Sequence, residues 1–120
     1  MSARFAALHA AGTSGLVTVH DPGSAVIAQA AGAVALGTTS PGHAYSLARR
    51  DARGALSRGE SIERVRQICA VVDIPVSVDA ENGWGTRPDD VADTIRLLAE
   101  VGAARSEYRG LVRRPYRRIL

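Results

Sequence analysis

The sequence predicts an α/β protein with parallel strands, and three observations carry that prediction. Short apolar runs at Gly15–Val19, Ala33–Leu36 and Pro75–Val78 are separated by stretches whose apolar residues recur at helical spacing. Glycine, proline and cap residues punctuate the boundaries between the two kinds of segment. The connections are long enough to hold a helix, and crossovers of that length imply parallel pairing.

Each element follows in order. Ala3 to Ala11 is alanine-rich, carries Phe5, Leu8 and Ala11 on one side, and stops at Gly12, which reads as a short lead-in helix. Gly15–Val19 is the first strand. It ends in His20-Asp21-Pro22-Gly23-Ser24, where Asp21 caps a helix whose first position is Pro22. Val26, Ile27, Ala30 and Ala31 give that helix an apolar face, and Gly32 closes it. Ala33 to Ser40 is the second strand, apolar first and hydroxyl-rich at its end, broken by Pro41-Gly42. A short helix over His43–Arg50 and a polar loop over Asp51–Gly59 follow. Ser57 and Glu60 have the spacing of a capping box for the next helix, in which Ile62, Val65, Ile68, Cys69 and Val72 line one face. Pro75 onward is the third strand. Thr86 and Asp89 repeat the capping-box spacing, Pro88 is tolerated in the first turn, and Val91, Ile95, Leu98 and Val101 form the buried face of a helix that Gly102 ends. A fourth strand is due next. Arg105 onward offers no apolar run of adequate length, and the segment reads as a solvated basic tail.

Composition limits the function. The chain has 120 residues, 46% apolar and 22% charged, which suits one globular domain or a piece of a larger one. It holds no apolar run of membrane-spanning length and no signal-peptide pattern, so a cytoplasmic setting is the expectation, with no membrane partner. The net charge of +3 resides in the tail: all fifteen basic residues are arginine, and six fall in the last sixteen positions. Residues 1–104 carry nine arginines against eleven acids, a net charge of −2. A nucleic-acid footprint belongs on the folded body with reading elements beside it, and none is present there.

The stretch Pro75-Val76-Ser77-Val78-Asp79-Ala80-Glu81-Asn82-Gly83-Trp84-Gly85 is the centre of the functional reading. It is a short buried strand ending in two carboxylates and a glycine-rich turn, and ligands of parallel sheets bind at that end. Asp79 and Glu81 are two apart, so on a regular strand both point to one side and can meet on one cation. The competing reading makes Asp79 a strand cap and Glu81 a solvated acid. Elsewhere, Cys69 reads as a small buried hydrophobe, His43 as structural with acid–base work as its alternative, and Trp84 as core or rim packing.

Five segments in order carry a resemblance: Phe5-Ala6-Ala7-Leu8-His9, Asp21-Pro22-Gly23-Ser24-Ala25, Thr38-Thr39-Ser40-Pro41-Gly42, Leu47 to Asp51, and Pro75 to Gly85. Over residues 5–104 the chain resembles the isocitrate lyase and phosphoenolpyruvate mutase superfamily, in particular its phosphoenolpyruvate phosphonomutase-like members. The resemblance implies a (β/α)8 barrel, of which about three parallel strands with their helices are present, and Mg²⁺-dependent lyase or phosphonomutase chemistry. Such enzymes stabilise an enolate-like species on a 2-oxo acid while a C–C or P–C bond is made or broken. By resemblance, Thr39, Ser40, Pro41 and Gly42 form the turn that binds the substrate carboxylate or oxyanion, Asp51 is the catalytic acid on the following loop, and Asp79 and Glu81 hold the magnesium and its waters. Asp21 matches a family turn, with capping as its assigned role.

The physics of these residue types agrees. A hard dication takes carboxylate and water oxygens, and it draws off negative charge as an enolate forms. Pro41 departs from an ideal donor turn because it has no N–H, and Glu81 stands where a shorter aspartate is expected, so water-mediated binding is open to it. The family's next strand should end in a further metal-side glutamate, followed by a lid bearing lysine or cysteine; neither is identified, and the chain has no lysine. The expected division is therefore residues 1–104 as the amino-terminal part of a barrel and residues 105–120 as a divergent tail, of the kind a truncated or frame-shifted reading produces. Two alternatives accompany the enzyme reading: a non-catalytic fragment or assembly partner, and a basic-tailed binding protein. The expected ligand is a small 2-oxo acid or phosphonate, and the superfamily is typically homo-oligomeric.

Overall fold

Four strands, β1 (Val17–Val19), β2 (Leu36–Thr38), β3 (Val76–Asp79) and β4 (Arg105–Glu107), form one parallel sheet in sequence order in the computed structural model, which describes residues 1–12, 15–52 and 54–107. Helices occupy the crossovers: α1 (Ser2–Ala10) precedes the sheet, α2 (Pro22–Ala30) joins β1 to β2, α3 (Ser40–Ser46) and α4 (Arg58–Cys69) join β2 to β3, and α5 (Pro88–Glu100) joins β3 to β4. The α/β class and the parallel pairing expected from the sequence are both present.

The number of strands differs from the expectation of about three. Arg105–Glu107, read from sequence as the start of a basic tail, pairs with β3 in the register Ser77 to Arg105, Val78 to Ser106 and Asp79 to Glu107. A three-residue strand at the end of the sheet needs backbone partners rather than an apolar run, and Ala104 N–H and Ala80 N–H bond to Val76 O and Glu107 O at 2.9 Å each. The rest of the expected tail, residues 108–120, lies outside the described residues.

The strands' alternate residues divide the molecule. Val19, Leu36, Val76 and Val78 point to the helix side, where they pack with Ala25, Val65, Ile68 and Leu98 into the core. Thr18, Gly37 and Ser77 point the other way and are small or hydroxylic. At Gly37 an added Cβ would stand 3.0 Å from the end of the Leu16 side chain, so a larger residue there would push that side chain aside. Helix α1 lies on this second side toward the amino ends of the strands. Phe5 is buried there beneath the Arg105 guanidinium, 6.0 Å from its ring centroid, and Arg4 Nη1 donates to Asp73 O at 2.8 Å.

Helix starts are where local sequence acts most directly. Asp21 Oδ1 accepts from Ser24 N–H at 2.7 Å while Ser24 Oγ accepts from Asp21 N–H at 3.2 Å, with Pro22 at the first helical position. Ser57 and Glu60 form the expected reciprocal pair, 3.2 and 2.8 Å. The expected pairing of Thr86 with Asp89 is displaced by one residue: Arg87 is the cap, and its N–H donates to Asp90 Oδ2 at 3.2 Å. Proline at the first helical position sets this frame, since its missing N–H costs nothing there. The helix expected over His43–Arg50 begins earlier, at Ser40, for the same reason: Pro41 lies in its first turn and Thr39 caps it.

Candidate functional site

At the carboxyl ends of the strands, on the side away from the core, a groove of about 410 Å³ is lined by Thr18, Thr39, Ser40, Asp51, Asp79 and Glu107 among others. Besides Thr18 on β1, four separate chain segments bring these groups together. Strand β3 delivers Asp79, the cap of α3 delivers Thr39 and Ser40, the loop before α4 delivers Asp51, and β4 delivers Glu107.

Asp79 is the best-anchored group. Its backbone N–H donates to Thr38 Oγ1 at 3.0 Å, Ser40 Oγ donates to its Oδ2 at 3.3 Å, and Glu81 N–H donates to its Oδ1 at 3.1 Å. Both carboxylate oxygens are thereby oriented by donors from different segments. The hydroxyls of Thr38 and Ser40 do different work, one fixing the strand end and the other the side chain.

Glu81 is not on the strand. The chain turns after Asp79, and Glu81 adopts a left-handed conformation with φ 46°, so the expected shared strand face of Asp79 and Glu81 does not exist. Their proximity arises from the turn instead. Burial is the main reason that the Glu81 carboxyl has a raised pKa; the negative charges of Asp79 and Asp51 push the same way, and the nearby Ser40 hydroxyl opposes them. Those causes place Asp79, Asp51 and Ser40 electrically around Glu81.

The Thr39–Gly42 segment is a helix cap rather than a free donor turn. Thr39 Oγ1 accepts from Gly42 N–H at 3.3 Å, which engages one of the donors expected to be available, and Pro41 has none to give. The Ser40 hydroxyl already serves Asp79. Asp51 is exposed on a loop that is clasped nearby: Arg49 donates through Nη1 to Ala55 O at 3.0 Å and through both Nη atoms to the Glu60 carboxylate at 3.0 and 2.7 Å.

The donor set is all oxygen, two or three carboxylates and a hydroxyl, which suits a hard dication held by one or two carboxylates and several waters. No group of three or more His, Cys, Asp or Glu is arranged as a ready ligand cage among the described residues. Glu107 is the group that the sequence reading lacked. It ends β4 in register with Asp79 and lines the same groove; the signals for it were a strand due after Gly102 and the glutamate that the resemblance implies at the end of that strand.

The remaining expectations fall outside the groove. Trp84 packs against the core, and its Nε1–H donates to Leu56 O at 2.9 Å. Cys69 is half-buried between α4 and the Gly102 turn, where burial pushes its thiol up to about 11, the behaviour of an unreactive small hydrophobe. No helix among the described residues is long and apolar enough to cross a membrane.

Comparison with known proteins gives the groove its setting. The family model for phosphoenolpyruvate phosphomutase matches residues 5–106. A Burkholderia cenocepacia J2315 structure described as a lyase/mutase is 37% identical, with a TM-score of 0.83 over 89% of this chain and 38% of its own. The structure of 2,3-dimethylmalate lyase, described as a phosphoenolpyruvate mutase/isocitrate lyase superfamily member, is 27% identical with a TM-score of 0.79 over 89% and 39%. Phosphonopyruvate hydrolase, in complex with oxalate and Mg²⁺, is 27% identical with a TM-score of 0.79 over 88% and 36%. A search of curated proteins returned no match. This chain thus spans less than two-fifths of the structures that it matches. With the family match running from Phe5 in α1 to Ser106 in β4, the chain belongs to the phosphoenolpyruvate mutase/isocitrate lyase superfamily.

Proposed function

We propose that the chain carries the substrate- and Mg²⁺-binding part of a lyase or phosphonomutase-type enzyme that acts on a 2-oxo acid or phosphonate through an enolate-like species. The observation that supports it best is that Ser40 and the Glu81 N–H orient the Asp79 carboxylate in a groove, also lined by Asp51, at the carboxyl ends of parallel strands. That the related phosphonopyruvate hydrolase is described with oxalate and Mg²⁺ favours the same ligands here.

In this reading Asp79 and Glu81 hold the cation, directly or through water. A bound Mg²⁺ supplies positive charge to a developing enolate oxygen. The chain's own residues do the rest. Ser40 keeps the Asp79 carboxylate turned into the groove, and Thr39, whose Oγ1 accepts from Gly42 N–H, keeps its hydroxyl proton for a substrate carboxylate. Gly42 gives room for the tight cap, since an added Cβ would stand 2.7 Å from Thr39 Cγ2. Asp51 approaches from the loop as the catalytic carboxylate. Residues 1–104 supply this part of a barrel, and residues 105–120 contribute β4 before diverging from the family.

Thermal unfolding with and without Mg²⁺ tests the metal reading. At a concentration about a hundred times Kd, binding stabilises the fold by ~2.7 kcal/mol, a rise in Tm that Asp79→Asn abolishes. An unchanged Tm for the parent chain, or an equal rise in the variant, rejects it.

A second reading has its own support. Leu16, Val17, Val26 and Ile27 are exposed on β1 and α2, at one margin of the sheet, as expected of a non-catalytic fragment that assembles with another chain. Size-exclusion chromatography separates the two: a monomer that binds Mg²⁺ favours the first, and an obligate oligomer indifferent to Mg²⁺ the second. The basic-tailed binding reading falls on residues 105–120, of which Arg105–Glu107 form β4 and 108–120 lie outside the described residues.

A further inference from the structure

In the turn that follows β3, two non-glycine residues adopt the left-handed conformation, Glu81 at φ 46° and Trp84 at φ 53°, with Gly83 at φ 74° between them. That region is unfavourable for a bulky side chain, and such strain persists only where the surroundings fix the backbone from several directions. Trp84 is also the chain's single tryptophan.

Four hydrogen bonds fix this turn. Gly83 N–H donates to Ala80 O at 2.7 Å, which puts Glu81 and Asn82 at the centre of the bend. Trp84 N–H donates to Asn82 Oδ1 at 3.1 Å. On one flank Thr94 of α5, fully buried, donates through Oγ1 to Gly83 O at 2.7 Å. On the other flank the Trp84 ring packs against the core and donates from Nε1 to Leu56 O at 2.9 Å. Of the four, only the indole bond reaches the loop before α4, which carries Asp51. Its anchor there is firm: Leu56 is buried, Ala55 N–H donates to Ala52 O at 2.9 Å, and Arg49 Nη1 donates to Ala55 O at 3.0 Å. Asp51 stands one residue before that bend.

We propose that Trp84 is a positioning residue for the groove. Its indole N–H fastens the turn whose Glu81 N–H orients Asp79 to the loop that carries Asp51, so that two carboxylates from distant parts of the chain keep one fixed relation. Trp84 does not itself line the groove, and its action passes through the two backbones that it joins. The strained conformation fits that role, because a tryptophan in an ordinary turn conformation would send its ring elsewhere. The inference rests on the groove being the functional site, but the fastening belongs to the two loops and is measured without any ligand, so its failure is separate from a failure of the Mg²⁺ reading.

Amide hydrogen exchange followed by NMR on the full 120-residue chain in Mg²⁺-free buffer tests it, with two tryptophan analogues of nearly the same shape. Benzothienylalanine replaces the indole N–H by sulfur, whereas fluorotryptophan keeps it, and each labels position 84 alone. Loss of the donor should speed exchange of the Glu81 and Gly83 amides in the turn and of the Ala55 amide in the other loop, all by about fivefold, the factor expected from one ordinary hydrogen bond. The fluorotryptophan chain should match the parent. The Leu36 amide, bonded to Pro75 O at 2.9 Å within the sheet, should keep its rate in every chain. An Ala55 rate that stays unchanged overturns the proposal, as do unchanged Glu81 and Gly83 rates. So does a Leu36 rate that rises with the others, or an equal effect of the two analogues, since either would mean that the ring serves packing alone. Trp84→Phe also lacks the donor and should reproduce the benzothienylalanine pattern; should it fail to fold, the two analogues decide the matter.

Discussion

The two sides of one sheet obey opposite rules. On the helix side, Val19, Leu36, Val76 and Val78 present only hydrocarbon and find close-packed partners within this chain. On the groove side, the residues one step along the same strands are Thr18, Gly37, Ser77 and Asp79, and among the described residues α1 covers that side at the amino ends of the strands. A parallel sheet ordinarily buries both sides. The contrast teaches that stability here is drawn from one side and chemistry from the other, and that substitutions on adjacent residues should have unlike consequences.

The largest effect should come from breaking the helix side. Leu36 is fully buried in β2, and Leu36→Ala is expected to lower the unfolding free energy by about 2–5 kcal/mol, read from urea denaturation. Ser77→Ala, on the neighbouring strand but facing the groove, should cost at most about 1 kcal/mol. Equal losses would erase the distinction between the sides. Intermediate in size is the cap of α2, where Asp21→Ala removes a reciprocal hydrogen-bonded pair and should cost roughly 1 kcal/mol. Ser24 holds the Asp21 carboxyl below its ordinary value, through its backbone N–H first and then its hydroxyl. A lowered acid stabilises the fold above its unfolded pKa, so the Asp21→Ala deficit should be present at neutral pH and fade as pH falls through the acid range.

The smallest effect has the opposite sign and sharpens the comparison. Glu81 is an acid whose folded pKa is raised, chiefly by burial, so its ionisation opposes folding. The stability it permits is full below the unfolded carboxyl value and is lost as pH rises through the folded one. Glu81→Gln should therefore be more stable than the parent at pH 7, with the difference closing on acidification. A variant less stable than the parent at pH 7 would mean that Glu81 serves the fold rather than the groove. A residue kept at a cost to stability is what a functional site leads one to expect.

Much of this was legible in the sequence because the signals are local. Asp21 before Pro22, and Ser57 three residues before Glu60, place helix starts through hydrogen bonds that span only a few residues. The parallel pairing of the strands follows from crossover length. What was not legible depends on backbone conformation or on distant partners. Glu81 could not be taken off the strand without knowing that its φ is positive. Arg105–Glu107 could not be seen as a strand because its pairing is supplied by β3 and not by its own side chains. The cap of α5 fell on Arg87 rather than Thr86 because Pro88 fixes the first helical position, a one-residue choice that spacing leaves open. The superfamily resemblance, in contrast, rested on five ordered segments and tolerated each of these local errors.

The clasp between Arg49 and Glu60 has a reach beyond its own two residues. Glu60 accepts from Ser57 N–H while its two oxygens accept from Arg49, so a single carboxylate both starts α4 and fastens the loop that bears Asp51. Helix register and loop placement are thereby inherited together. Evolution cannot retune the approach of Asp51 by altering Arg49 or Glu60 without also renegotiating where the helix behind the groove begins.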